Sequence, residues 1–339
     1  MTLAPLLIVL IGGILRMFNQ PGVFYFNQPD TIYNKTTWTI DQEKITLLKQ
    51  HSMVIADFSS EHYGDGMLCN LYDVLESHNI NFLLLSHNPQ DHLTQPRLLF
   101  YPHWYHWARQ VFANQRPNFL NNKKQYKISC LNGNPRPHRI YNFLSLRKKL
   151  YFDDFLFSMH QTQDIPTSSD DSIIDQSMLT EWSQLMPMLP DRNTVLKNTP
   201  TKQSANYIQH PAYTDSYINL VTETTVIPKI FVTEKTWKPV ASGQLFLIIG
   251  NPGTVDYLKS QGVDVFDDII DHKYYDNETD WQARILKVHD LIEDLLEQDL
   301  YKINQDTVER RKRNSERFFA GNFDQQYQLK IQECIDTLK

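Results

Sequence analysis

The chain has 339 residues, 41 % hydrophobic and 21 % charged, which excludes wholesale disorder and makes two domains of ordinary size the expectation. Its 33 Lys and Arg against 39 Asp and Glu leave a formal charge of -6, which excludes a general nucleic-acid coat while permitting a local basic cleft. Cys69, Cys130 and Cys334 are odd in number and widely spaced, so a reduced, cytoplasmic protein is expected rather than a zinc site or a disulfide framework.

Leu3 to Leu15, LAPLLIVLIGGIL, is apolar, yet no basic residue precedes it, and a bilayer span needs about 20 apolar residues. A buried strand with a glycine turn is expected there, without stable membrane insertion. HSMVIADFSS around Ile55 and NFLLLSHNP around Leu84 read as strands, with helix-spaced apolar residues in LCNLYDVLESH between them. That alternation predicts a parallel sheet covered by helices. YPHWYHWARQVF, Tyr101 to Phe112, begins a helix or a hinge-facing loop. ANQRPNFLNNKKQ, Ala113 to Gln125, is polar, asparagine-rich and carries a proline, so the domains are drawn as 1–120 and 121–339.

The second unit opens with the strand YKISCLNG, and Pro137 suits the first turn of the helix that follows. SIIDQSMLTEWSQLMPML has helical spacing. YINLVTETT then reads as a strand, TEKTWKPVASG as a helix and LFLIIGNPG as an apolar strand entering a tight turn. TVDYLKSQG is a short helix stopped at Gly262, and VDVF another short strand. A long amphipathic helix covers Thr279 to Leu300, and further helices fill Asn304 to Leu338, grouped with the second domain. Two alternating units place ligands at the carboxyl ends of strands and in the cleft between lobes.

Three features of the second unit suit an anionic ligand. Asn132, Arg136, His138 and Arg139 lie in LNGNPRPHR between a strand and a helix, where guanidinium forks and helix N–H groups meet phosphate oxygens well. Glu234 beside Lys235 offers a carboxylate for ribose hydroxyls and an ammonium for a phosphate linkage. GNPG, Gly250 to Gly253, allows close backbone approach. His87, His92, His103 and His106 lack a metal-ligand spacing, and Asp267, Asp268 and Asp271 read as a solvated acidic loop. Neither GxGxxG nor GxxxxGK[ST] is present.

The segment from Tyr217 to Gly262 resembles the donor-binding region of the alpha-1,3-fucosyltransferase family and, more broadly, glycosyltransferases of the two-lobed GT-B fold, through INLVTETT, FVTEK and LFLIIGNPG. The resemblance implies an α/β, GT-B-like fold: two Rossmann-like lobes with a cleft between them, an acceptor-side lobe followed by a nucleotide-sugar lobe. It makes Glu234 the ribose-binding carboxylate and Lys235 a diphosphate contact, helped by Arg136 or Arg139. Glu223 stands at the acidic position of the preceding strand. Asn132, Thr233 and Gly250 complete the expected donor set. Thr224 replaces the Asn common in the family, so fucose is not assigned. The donor is a GDP- or UDP-sugar and the acceptor a glycan or another hydroxyl, with neither cofactor nor metal required. An inverting transfer needs a base, for which Glu61, Asp57, His87 and Asp91 are candidates near first-lobe strand ends. Glu61 is preferred because it follows VIADFSS directly. A noncatalytic nucleotide- or glycan-binding protein is the alternative. A transferase acting on modified DNA is another, using Lys123, Lys124, Arg147, Lys148 and Lys149 as a basic channel.

Overall fold

The computed structural model describes residues 23–27, 42–60, 65–89, 97–117, 119, 123–149, 155–159, 175–185, 207–321 and 325–338. Leu3–Leu15, Glu61 and Asp91 lie outside the described residues. The chain forms two compact units, one of Met1–Gln110 with Asp324–Lys339, the other of Val111–Phe323. Each contains a four-stranded sheet, and every strand pair in both is parallel.

In the first unit, β1 (Val23–Phe26), β2 (Met53–Asp57), β3 (Phe82–Ser86) and β4 (Leu98–Phe100) lie in chain order. The strands MVIAD and FLLLS are buried along their whole length, as expected where both faces of a parallel sheet are covered. Alternate side chains serve the two faces. Val54, Ala56, Phe82 and Leu84 join Leu68, Leu71, Tyr72 and Leu75 of helix Asp65–Ser77, whose i, i+3, i+4, i+7 spacing makes one apolar stripe. Met53, Ile55, Leu83 and Leu85 face the other way and pack with Tyr101, Ile331 and Ile335. Ile331 and Ile335 lie one turn apart on the terminal helix Gln325–Leu338. That helix therefore packs on the first sheet, although its amphipathic pattern alone groups it with the domain that precedes it.

In the second unit, β5 (Tyr126–Leu131), β6 (Phe155–Ser158), β7 (Ser216–Thr222) and β8 (Leu245–Ile249) take the order β6-β5-β7-β8. The chain builds to one side of β5 and then returns to its other side. The β5/β7 junction is thus a topological switch point, where crevices open beyond the carboxyl ends of parallel strands. Helix Pro137–Lys149 follows β5, and helix Glu234–Ser242 follows β7. The latter starts at Thr233, whose side chain accepts from Lys235 N, and ends at Gly243 with φ 65. A Cβ at Gly243 would lie 2.3 Å from the Phe119 ring, so glycine is required there by contact as well as by conformation.

The expected strand at Val263–Phe266 is irregular. Asn314 takes both backbone groups of Asp264, accepting from its N–H at 2.9 Å and donating to its carbonyl at 2.7 Å, so they are withdrawn from strand pairing. The long amphipathic segment after Thr279 is helix Trp281–Leu296, started by Asp280, which accepts from Gln282 N and Ala283 N. No helix among the described residues is long and apolar enough to cross a membrane.

Candidate functional site

Strand β7 ends by delivering Glu223 into the switch point with no solvent exposure. Four donors converge on its two carboxylate oxygens: Thr233 N at 3.0 Å, Thr233 Oγ1 at 2.6 Å, Thr236 Oγ1 at 2.7 Å and Thr224 N at 3.2 Å. Glu223 is therefore a fastener between β7 and the start of helix Glu234–Ser242. Its acceptors are filled by the protein, so the donor contact expected from sequence becomes a positioning role. Its backbone carbonyl ties in the other helix, accepting from His138 Nε2 at 3.0 Å and from Arg139 Nη2 at 3.1 Å.

Asn132 and the two terminal nitrogens of Arg139 are likewise occupied, while the buried Arg139 Nε has no hydrogen-bond partner among the described residues. The Arg139 guanidinium is buried and also donates to the carbonyls of Asn134 and Thr222. Burial, and then the charge of Arg136, push its pKa down to about 10. Asn132 accepts from Thr222 Oγ1, donates to Cys130 Sγ at 3.4 Å, and takes the carbonyl of Ser158 through its backbone N–H. Both side chains brace the switch point, since buried groups that already hold hydrogen bonds cannot be withdrawn from them cheaply.

Arg136, Glu234 and Lys235 differ in kind. Arg136 is half-buried just ahead of helix Pro137–Lys149, and its guanidinium has no hydrogen-bond or ion-pair partner among the described residues. Lys235 Nζ donates to Thr224 Oγ1 and Thr233 Oγ1, each at 3.0 Å, and lies 3.5 Å from Glu234 Oε1. Burial pushes the Glu234 carboxyl up, but Lys235, Lys238, its own helix N–H and the Thr233 hydroxyl together hold it below its ordinary value. Lys238 is a participant that the sequence reading passed over. The signal was available in E-K-T-W-K, which sets a cation one helical turn beyond Glu234. Two helix starts, two accessible cations and one carboxylate thus meet at the carboxyl edge of β5 and β7, an arrangement suited to a polyanion with hydroxyls nearby.

The third sequence feature, GNPG, is closed as an anion site. Asp276 fills the first turn of helix Thr254–Ser260, accepting from Val255 N at 3.0 Å and Asp256 N at 3.1 Å. Gly250 keeps a steric role, because a Cβ there would come within 3.2 Å of Ile248 Cγ2 and 3.5 Å of Glu223 Cγ. Burial raises the Asp276 carboxyl to about 6. A raised folded-state value gives stability that is complete below the unfolded carboxylate range and lost as pH rises through 6. Asp276→Asn keeps an acceptor while removing the titration. Its unfolding free energy should gain on the unmodified protein by on the order of 1 kcal/mol between pH 5 and pH 8, read by urea titration. A constant difference across that interval would refute this account.

In the first unit, Asp57 and His87 sit at the carboxyl edge of neighbouring strands, with Asp57 in register with Leu85. Asp57 accepts from Tyr25 Oη at 2.9 Å and from both Ser59 N, at 3.0 Å, and Ser59 Oγ. His87 is buried. His103, considered from sequence only as a metal ligand, has its pKa lowered by burial, with the Asp57 charge working against that shift and His106 adding to it. Among the described residues no group of three or more His, Cys, Asp or Glu could hold a metal ion. Of the residues considered for a basic channel, Lys148 pairs with Glu181, Lys149 pairs with Asp290 and Glu293, and Lys124 donates to the Thr214 carbonyl at 2.6 Å. A cavity of about 310 Å³ opens at the opposite, amino edge of the second sheet, between Lys123, Lys127, Tyr217 and Tyr301.

No family model and no curated protein matches the chain. A solved structure that does match is a DNA-modifying beta-glucosyltransferase determined with and without uridine diphosphoglucose. It has 11 % identity and a TM-score of 0.33, covering 89 % of this chain and 99 % of that one. A likeness of that degree assigns no activity to this chain.

Proposed function

We propose that the second unit binds a nucleotide sugar and that the protein is a glycosyltransferase of GT-B type, passing the sugar to a hydroxyl acceptor with inversion and without a bound metal. The observation that carries this reading is the division of labour at the switch point. Glu223, Asn132 and the terminal nitrogens of Arg139 are spent in bracing it, while Arg136 and Lys235 are partly exposed at the two helix starts, with the nearly buried Glu234 carboxylate against Lys235. Two cations match a diphosphate, and a carboxylate held ionised matches a ribose diol. Of the residues that match the fucosyltransferase donor motif, Glu223 is spent in bracing, while Lys235 is partly exposed with the nearly buried Glu234 carboxylate beside it; that pair supports a sugar-nucleotide donor and leaves the sugar open.

In the reaction, a base takes the acceptor hydroxyl proton as that oxygen attacks the anomeric carbon. The bond from that carbon to the diphosphate oxygen breaks, and Lys235 with Arg136 stabilises the charge left on the diphosphate. We place the base among Asp57, Glu61, His87 and Asp91. A panel of GDP- and UDP-sugars, screened by thermal shift and by nucleotide release, should yield at least one donor that binds and turns over. Silence across the panel would sink the reading. Substituting the four base candidates singly should abolish transfer in one case while donor binding persists; loss in none favours a noncatalytic binding protein.

A further inference from the structure

We infer that His138 is a proton-accepting partner of the bound anion: its imidazole takes up a proton from solvent at Nδ1 when a diphosphate diester occupies the switch point of the second unit. The inference rests on the nucleotide-sugar reading of that site and adds to it a residue and a proton.

The hydrogen-bond pattern fixes the starting state. His138 Nε2 lies 3.0 Å from the carbonyl oxygen of Glu223. A carbonyl can only accept, so Nε2 carries the hydrogen and Nδ1 holds the lone pair in the neutral ring. Nδ1 has no hydrogen-bond partner among the described residues, although the residue is 4 % exposed. The charged groups that act on the ring are cationic. Arg139 from its own helix donates to the same Glu223 carbonyl, Arg136 precedes that helix, and Lys235 of helix Glu234–Ser242 adds its charge. Burial, then Arg139, Arg136 and Lys235 hold the imidazole well below its ordinary value, against the pull of the Glu223 carbonyl. The negative groups nearby are committed: the Glu223 carboxylate to its four donors, and Glu234 to Lys235 with Lys238 behind it.

A ring kept neutral by burial and then by the charges of Arg139, Arg136 and Lys235 responds to an anion through the second of these causes. A doubly charged diphosphate placed between Arg136 and Lys235 offsets their repulsion and adds attraction, and an opposite charge within about 4–6 Å raises a pKa by about 1–3 units. The resulting imidazolium adds a third positive group at the diphosphate, with its Nε2–H still on Glu223. By linkage, donor affinity rises as pH falls. The intact sugar nucleotide is a suitable probe because its diphosphate is a diester with no titrating proton near neutrality.

The test is calorimetric titration of the full chain with UDP-glucose and, in parallel, GDP-mannose, at pH 6 in buffers of different ionisation enthalpy. For a sugar nucleotide that binds, net proton uptake on binding is expected, read as a binding enthalpy that changes with the buffer's ionisation enthalpy. The uptake should vanish in His138→Gln, whose amide can keep the bond to Glu223. Should that variant fold poorly, the Nδ1 nitrogen shift of His138 in the unmodified protein gives the same readout, moving toward the protonated range on ligand addition. Binding without proton uptake, equal uptake in the variant, or a stationary Nδ1 shift overturns the inference alone. Where neither binds, the same titration is run through the GDP- and UDP-sugar panel, and failure of every member to bind overturns it together with the donor reading.

Discussion

Glu223→Ala is expected to destabilise the second unit by about 3–5 kcal/mol, the range seen when one partner of a buried polar or charged group is removed. The carboxylate has no exposure, so water cannot replace it without entering the junction. Its loss would strand Thr233 N, Thr233 Oγ1, Thr236 Oγ1 and Thr224 N, four donors that face one acceptor group rather than solvent. The Thr233 cap of helix Glu234–Ser242 would be freed to rotate, and the carbonyl shared by His138 and Arg139 would lose its anchored neighbour. For a unit of roughly 200 residues, such a loss lowers the melting temperature by about 10 °C. Glu223→Gln should fall between, because an amide keeps one acceptor but turns an NH2 toward groups that are themselves donors. A melt unchanged in the alanine variant would mean that Glu223 is a ligand contact after all.

That prediction turns on a distinction the sequence does not contain. Glu223 and Glu234 are both glutamates at the ends of neighbouring elements, and Arg136 and Arg139 lie in one short motif. Residue type marks each of them as able to meet a nucleotide. Only the partners separate the two that brace from the two left at the rim, and those partners come from segments distant in the chain. The closed GNPG turn makes the same point, since the Asp276 that fills it belongs to a later loop. Likewise the alternation in Val263–Phe266 looks like a strand until Asn314 takes the backbone of Asp264. What the sequence does carry is local. MVIAD and FLLLS are legible because strands covered on both faces are continuous apolar runs, and helix Glu234–Ser242 because a threonine cap and a glycine stop bracket it. The order β6-β5-β7-β8 is not local, and it is this order that turns two separate polar motifs into one site.

Lys235→Ala should lower kcat/KM for the sugar nucleotide about 100-fold, the equivalent of about 2.7 kcal/mol and within the range of a charge-assisted contact. The larger part should fall in kcat, because the diphosphate gains charge as the bond to the anomeric carbon breaks and a cation beside it is worth most at that moment. Glu234→Ala should instead raise KM by about 10-fold with a smaller change in kcat, since hydroxyl contacts to a ribose are much the same before and during transfer. Folding is not expected to confuse the Lys235 variant, whereas the buried Glu234 is compared through Glu234→Gln as well, with a thermal melt of each variant. The Lys235 side chain is 23 % exposed, so water can take its place on Thr224 and Thr233, and an ion pair of that exposure contributes about 1 kcal/mol or less. Arg136→Ala should share the kcat signature of Lys235→Ala, and the double variant should lose less than the product of the two if both cations hold the same diphosphate. Equal losses of kcat and KM in the Lys235 and Glu234 variants would remove the assignment of separate roles. Independent, multiplicative losses would place Arg136 on a different part of the ligand.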